Sequence, residues 1–498
     1  VPWPVSRTVS LPNVFLSAFL FILTFPNFNC AETAWIALVP LIIAIRQKTP
    51  RQAFFYGWIS GTVAYAGILY WLLPTFRAAQ LSLGLGLGAL LALSAYMGLF
   101  WGVWTWWMSY LRRVDVNFTL ILGAAAWVIL EYVRTFLFSG FPWALFADSQ
   151  VYRLPVIQIA SITGVYGVSF LLVWGNLAVA EAFNGSRRAL ASFGIALLCT
   201  LSFGWVTLKY PKRTGLPELK IALLQGNIDQ YKKWSEVYVA EIKQTYETLV
   251  QRSKSSGAQL IVWPETSVPG YLTQDPPLRL WLTSVILKSG TAHIVGAPYM
   301  QGDNAYNAAF SLSSLGLIQG VYGKHHLVPF GETVPFQTIL GRWISVLNAL
   351  GGFTAGRESP VLTAAGVPIG VNICYEAIFP NLVRQSVKHG AQIIVNLTND
   401  GWYMKTAAPY QHLAPNVFRA VENRRWLARA DNTGISALID PFGHIVLQTP
   451  IYQARVLIGT AELRSDLTFY SRYGDFFAWL CLLGTALYVR RRNPKKPS

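Results

Sequence analysis

Long apolar runs separated by short polar breaks fill the chain up to about residue 211, and the pattern then changes. Crossing the hydrocarbon core of a bilayer takes roughly 20 apolar residues in a helix. Runs near 9–28, 32–46, 54–73, 84–110, 118–138, 155–183, 189–208 and 474–489 are read on that basis as about eight spans. The second and last are short, and the fourth and sixth are long enough to tilt or continue past the membrane. The first run, with Arg7 ahead of it, resembles a signal peptide. No A-x-A-like cleavage site follows and a second run begins at once, so it is read as retained.

From about 212 to 473 the periodicity shortens. The strings LKIALLQGNI, AQLIVWPETS, AHIVGAPY, VPIGVNICYE, AQIIVNLTND and SALIDPFGHIVL read as strands, and 235–254 and 409–429 read as helices. Strands alternating with helices and joined by hairpins predict an α/β or α+β sandwich. The expected organisation is therefore a helical membrane domain over 1–211 with about seven spans, a water-facing domain over 212–473, and a last helix with a basic tail over 474–498.

Composition supports a membrane assignment. Apolar residues make up 53% of the 498 and charged residues 13%, about half the ~25% charge of a soluble domain. The net charge of +17 would suit nucleic acid. The basic residues, however, sit in short clusters between apolar runs and not along one polar face. Arg46, Lys48 and Arg51 follow the second run, Arg112 and Arg113 the fourth, Arg187 and Arg188 the sixth, and Arg490, Arg491, Arg492, Lys495 and Lys496 the last. The alternate loops carry only Arg77 and Arg153. The positive-inside rule then puts both termini in the cytoplasm and 212–473 outside, in a bacterium the periplasm. Glu131 and Arg134 lie three apart in the fifth run, so they share a helix face and are expected to pair. A structural pair is the favoured reading and a headgroup contact the other.

Four cysteines, Cys30, Cys199, Cys374 and Cys481, show no disulfide or metal spacing. Only Cys374 falls in the polar half. Glu265, Lys324 and Cys374 each follow a strand-like run, where α/β folds place ligands and catalysis. A carboxylate can take the thiol proton, and an ammonium can hold the charge that develops on sulfur or on an oxyanion. As single residues they also read as a surface carboxylate, a solvated lysine and a core thiol.

The strings around them add to this. WPET at 263–266, GKHHLVPFGE at 323–332 and NICYE at 372–376 resemble the catalytic blocks of the nitrilase superfamily. With LLQGNI, NLTNDGWY, RAVENRRW, GFPW and GVYGVSF, the chain resembles the apolipoprotein N-acyltransferases, the membrane-embedded branch, over nearly its whole length. The resemblance implies an αββα nitrilase-like sandwich beside the spans. It also implies an enzyme that moves an acyl chain from a phospholipid, through a Cys374 thioester, to the N-terminal amine of a diacylated apolipoprotein. It makes Glu265 the base, Lys324 the oxyanion lysine and Cys374 the nucleophile, with Glu332, Tyr375 and Glu376 in support. Trp234 and Trp402 match loop tryptophans near the lipid entrance. It implies no cofactor, no metal, no nucleic-acid partner, a monomer, and a bacterial inner-membrane location with a periplasmic catalytic domain. The competing readings are a membrane-tethered amidase with the same triad, a transporter with an external domain, and a Cys–His hydrolase using His325, His326 or His412.

Overall fold

The computed structural model describes residues 10–111, 114–210, 215–230, 232–233, 235–333 and 352–492. Arg112, Arg113, Lys495 and Lys496 lie outside the described residues. The chain forms two compact units. The first contains residues up to Pro211, the segment Thr406–Gln411 and the stretch from Asp475 onward. The second contains Lys212–Lys405 and His412–Gly474.

The first unit is helical. Leu83–Leu111, Val116–Phe136, Val165–Ala182 and Arg187–Lys209 are long and apolar enough to cross a membrane, and Pro50–Ile68 with Leu72–Ala78, bent by 49°, makes a fifth if counted as one span. Among the described residues this is fewer than the eight expected. The run at 9–28 yields only the helix Ser10–Leu23. The run at 32–46 divides into a 3₁₀ turn, Ala31–Trp35, and the seven-residue Val39–Ile45 with Pro40 in its first turn. The run at 155–183 breaks at Gly164, where φ is 65° and ψ −177°, between Ala160–Thr163 and Val165–Ala182. The last helix, Phe476–Arg492, has 17 residues. An apolar run registers burial or lipid contact and is blind to where the helical hydrogen bonds stop.

Two of the long helices meet along a seam of small residues. A Cβ on Gly57 would stand 2.1 Å from Thr105 Oγ1, and one on Gly61 2.9 Å from Gly98 Cα. In lipid such seams let backbones approach and replace the missing hydrophobic drive with close packing. Glu131 and Arg134 are both buried, but each has its own partners in place of the expected pairing. Glu131 Oε1 accepts from Trp127 Nε1 at 3.0 Å and from the Phe146 amide at 2.8 Å. Arg134 donates to the Tyr65 hydroxyl.

The second unit holds two six-stranded sheets. The strands are β1 (Glu218–Gln225), β2 (Leu260–Val262), β3 (Ala292–Gln301), β4 (Asn304–Leu312), β5 (Ile318–Gly323), β6 (Val361–Ala364), β7 (Val367–Ile373), β8 (Ile393–Thr398), β9 (Leu427–Asp431), β10 (Ala437–Ile439), β11 (Ile445–Gln448) and β12 (Arg455–Glu462). One sheet runs β12-β1-β2-β3-β4-β5 and the other β11-β10-β9-β8-β7-β6. β1-β2-β3 and β7-β8-β9 pair in parallel, so their carboxyl ends line up. Alternation along β1 divides its side chains between two cores. Ile221 and Leu223 join Val371, Ile373 and Val395 between the sheets. Ala222 and Leu224 face the outer core with residues of helices Val239–Lys254 and Pro276–Ser289. Helix Pro380–Lys388 packs on β7 and β8. The layers are helix, sheet, sheet, helix.

Gly296 on β3 shows how tightly β2 and β3 close on the chain after β2. A Cβ there would lie 2.1 Å from Pro264 O and 2.8 Å from Glu265 Cα, both main-chain atoms that cannot swing away. Gly296→Ala is expected to cost about 1–3 kcal/mol, the usual range for overpacking. Thermal unfolding of the purified variant measures this, and an unchanged melting temperature would count against so close an approach.

Candidate active site

Cys374 ends β7 and begins a 3₁₀ turn, Cys374–Ile378. Its φ is +53°, the left-handed region, which costs a residue with a Cβ roughly 1–2 kcal/mol. The surrounding chain must hold that turn in place. Glu376, fully buried, accepts from the Ile373 amide at 2.6 Å, the His325 and His326 amides at 2.7 and 3.0 Å, and the Tyr322 hydroxyl at 2.9 Å. Burial raises its carboxyl to about 7, against the pull of those backbone donors. Glu376 thus ties the Cys374 turn to the segment on either side of Lys324.

A second buried network supports the same turn. His412 Nε2 stands 3.2 Å from Cys374 O, and its Nδ1 2.7 Å from Asp400 Oδ1. Arg429 donates to Asp400 Oδ2 at 2.8 Å, to Asp431 Oδ2 at 3.0 Å and to Asn396 Oδ1 at 2.9 Å. A carbonyl only accepts, so Nε2 carries hydrogen and Nδ1 faces the carboxyl. Burial lowers His412 to about 3 and raises Asp400, with the Arg429 charge opposing the rise. His412 therefore meets the main chain of Cys374, and His325 and His326 serve Glu376 through their amides.

The charged centre is built around Lys324, which follows β5 and is 1% exposed. Its Nζ lies 3.0 Å from Glu265 Oε1 and 2.9 Å from Glu332 Oε2. Asn307 Nδ2, from β4, bridges Glu265 Oε1 and Glu332 Oε1 at 2.7 Å each. Burial alone would lower the Lys324 ammonium, but Glu265 and Glu332 outweigh it and hold it well above the usual lysine range. Burial pushes the Cys374 thiol up, and the Glu265 charge adds to this while Lys324 opposes it. The resting sulfur is a thiol, and any reaction at it requires a base to take its proton as the bond forms.

Glu265, Lys324 and Glu332 are thus brought into direct contact, with Cys374 in their electrostatic field. Tyr375 is buried, its ring 5.2 Å from that of Phe379. Trp402, on the turn Asp400–Tyr403, is 46% exposed. Trp234 lies outside the described residues. Asn307, Lys233, Asp400, Arg429 and Asp431 are given no role in the sequence reading, which names His412 only as a candidate for a Cys–His hydrolase. Asn307 carried a signal, since an amide interrupts the apolar half of β4, but a polar strand residue usually marks a solvent face. Lys233 Nζ donates to Glu265 O at 2.9 Å and to Thr266 Oγ1 at 2.8 Å. Among the described residues no group of three or more His, Cys, Asp or Glu side chains could hold a metal ion.

Residues 17–178 match the family described as apolipoprotein N-acyltransferase N-terminal domain, and residues 220–466 match carbon-nitrogen hydrolase. A protein of Geobacter metallireducens named apolipoprotein N-acyltransferase is 39% identical over 490 residues, covering 95% of this chain and 93% of its own. One of the same name from Methylococcus capsulatus is 34% identical, covering 94% of each. Among solved structures, an amidase from Nesterenkonia sp. aligns with 53% of this chain and 95% of its own at 20% identity, with a TM-score of 0.39.

A thiol pushed up by burial reacts slowly with reagents that need thiolate. Cys374 is expected to alkylate with iodoacetamide at pH 7 at least about tenfold more slowly than a free thiol of ordinary pKa ~8.5, with a rate still climbing at pH 9. Peptide mass spectrometry across pH reads this. A plateau below pH 8 would mean that the thiolate is stabilised at rest.

Proposed function

The chain belongs to the apolipoprotein N-acyltransferase family, and we propose that it carries an acyl chain from a phospholipid, as a thioester on Cys374, to the N-terminal amine of a diacylglyceryl-cysteine lipoprotein. The observation that carries this reading is the buried ammonium of Lys324 held between Glu265 and Glu332 in the field of a protonated thiol. That set suits acyl transfer through a covalent sulfur intermediate.

In the first half, Glu265 takes the proton of Cys374 as Sγ attacks the ester carbonyl carbon. Lys324, with the backbone N–H of Tyr375, holds the oxyanion. The intermediate collapses with breakage of the ester C–O bond. Glu265 returns the proton to the leaving glycerol oxygen, and lysophospholipid departs. In the second half, the lipoprotein amine attacks the thioester carbon and gives a proton to Glu265. A C–N bond forms, the C–S bond breaks, and the proton returns to sulfur. Glu332 and Asn307 hold Lys324 and Glu265 in register. Tyr375 and Glu376 fix the turn that presents Sγ.

Both substrates carry acyl chains, each CH₂ worth about 0.8 kcal/mol when kept from water. A site fed from a bilayer answers that constraint. We place residues 212–473 in the periplasm of a bacterium, anchored in the inner membrane by about eight spans, with the shorter helices completing the set. Trp402 meets the incoming lipid, and the enzyme works as a monomer. A tethered amidase would share the thioester and differ only in giving the acyl group to water.

Incubating the purified chain with a diacyl phospholipid is expected to add one acyl mass, removed by neutral hydroxylamine and absent from Cys374→Ala. A diacylated lipopeptide should then take the acyl group as an amide. Lack of any adduct would remove the acyltransferase reading, and transfer to water alone would leave the amidase. Lys324→Met should slow adduct formation by roughly 10²–10³, the effect of losing an oxyanion donor. An essentially unchanged rate would assign the oxyanion to other groups.

A further inference from the structure

We infer that Lys233 is a positioning residue for the Glu265 carboxylate and a second cation beside the buried site. The inference rests on the acyl-transfer reading above and goes beyond it by giving a role to a residue outside the expected catalytic set.

Lys233 is 3% exposed, which is rare for a lysine without a purpose for its charge. Its two hydrogen bonds go to the main-chain oxygen of Glu265 and the hydroxyl of the next residue, Thr266. That stretch of backbone is constrained. Thr266, a β-branched residue, has φ +44°, where a side chain is unfavourable. Gly296 closes against Pro264 O and Glu265 Cα. Ser267 donates to Gly296 O through both its amide and its hydroxyl, at 2.8 and 3.0 Å. The peptide bearing Glu265 is therefore pinned to β3 along one side and to the Lys233 ammonium at its carbonyl. The carboxylate, held by Lys324 and Asn307 at Oε1, is fixed at its other end by this clamp.

The charges agree with the geometry. Glu265 and Glu332 face Lys324 alone if Lys233 is left out, and the site would carry one net negative charge at rest. An oxyanion would make it two in a poorly screened interior. With Lys233, the two ammonium groups match the Glu265 and Glu332 carboxylates in number, and an oxyanion adds one negative charge to that set. Asp431, the other carboxylate that Lys233 faces, shares Arg429 with Asp400. Burial lowers Lys233 to about 8, against the opposing pull of Glu265, Asp431 and Cys374. The cation is thus present at neutral pH and is lost as pH rises through that value.

The test uses the full-length chain in detergent with dioleoyl phosphatidylglycerol, reading the single-turnover rate of thioester formation on Cys374 by intact mass. Lys233→Met is expected to slow acylation by about 10²-fold, the scale of a misplaced catalytic group, with little change in the lipid concentration at half-maximal rate. The wild-type rate should fall above about pH 8, and that limb should be missing in Lys233→Met. Lys233→Arg, which keeps the charge, should recover part of the rate and retain an active enzyme at pH 9. A Lys233→Met rate within roughly threefold of wild type, or an unchanged alkaline limb, would overturn the inference. So would a lost rate matched by lost folded protein in a thermal melt, with Lys233→Arg equally unfolded, since Lys233 would then be structural only. If the wild type itself forms no thioester, the acyl-transfer reading fails first and separately.

Discussion

The arrangement of the second unit depends on one buried contact, the Lys324 ammonium between the carboxylates of Glu265 and Glu332. Taking charges out of water costs several kcal/mol per ion, repaid only when partners and hydrogen bonds are well placed. Removing one member of such a pair costs about 3–5 kcal/mol, because the other is left buried and uncompensated. The three residues come from the end of β2, the end of β5 and the loop beyond it. Their mutual need for each other therefore fixes those chain segments together, and Asn307 from β4 adds a second donor to Glu265 Oε1 and Glu332 Oε1.

Cys374 is held by a different means. Cys374 stands in a strained backbone conformation, and two sets of buried polar groups share the cost of keeping it there. Glu376 gathers amides from both sides of the site, and His412 meets the carbonyl of Cys374. Because Glu376 binds the amides just after Lys324, that lysine and the Cys374 turn are positioned by one carboxylate. A displacement of either would be transmitted to the other through bonds of 2.6–3.0 Å.

The layout of the second unit was readable from period-two alternation. Strand ends after IVWP, IQGVYG and VPIGVNI correctly located Glu265, Lys324 and Cys374 beyond β2, β5 and β7. The reading misses β12, RVLIGTAE, which pairs with β1 along its whole length but lies beside an already strand-rich stretch. It also misses Lys233 and Asn307, because a lysine or amide among polar neighbours gives no sign that the fold will bury it. The membrane unit was readable in its apolarity and less so in its segmentation. Gly164 breaks a run of 29 positions that is uniformly suitable for lipid, and only its positive φ in the folded chain reveals the break. Glu131 and Arg134 share a helix face as their spacing requires, yet Trp127, Phe146 and Tyr65 take the hydrogen bonds.

Keeping Cys374 as a buried thiol has a consequence for the durability of the enzyme. Peroxides and disulfides are attacked by thiolate, and oxidation of cysteine to sulfenic acid and beyond begins from that form. A catalytic sulfur with a permanently lowered pKa would be exposed to such loss wherever no reducing pool protects it, as outside the cytoplasm. Here burial and the Glu265 charge suppress the anion. The same feature that makes a base necessary for each turnover also gives the resting enzyme redox insulation between turnovers.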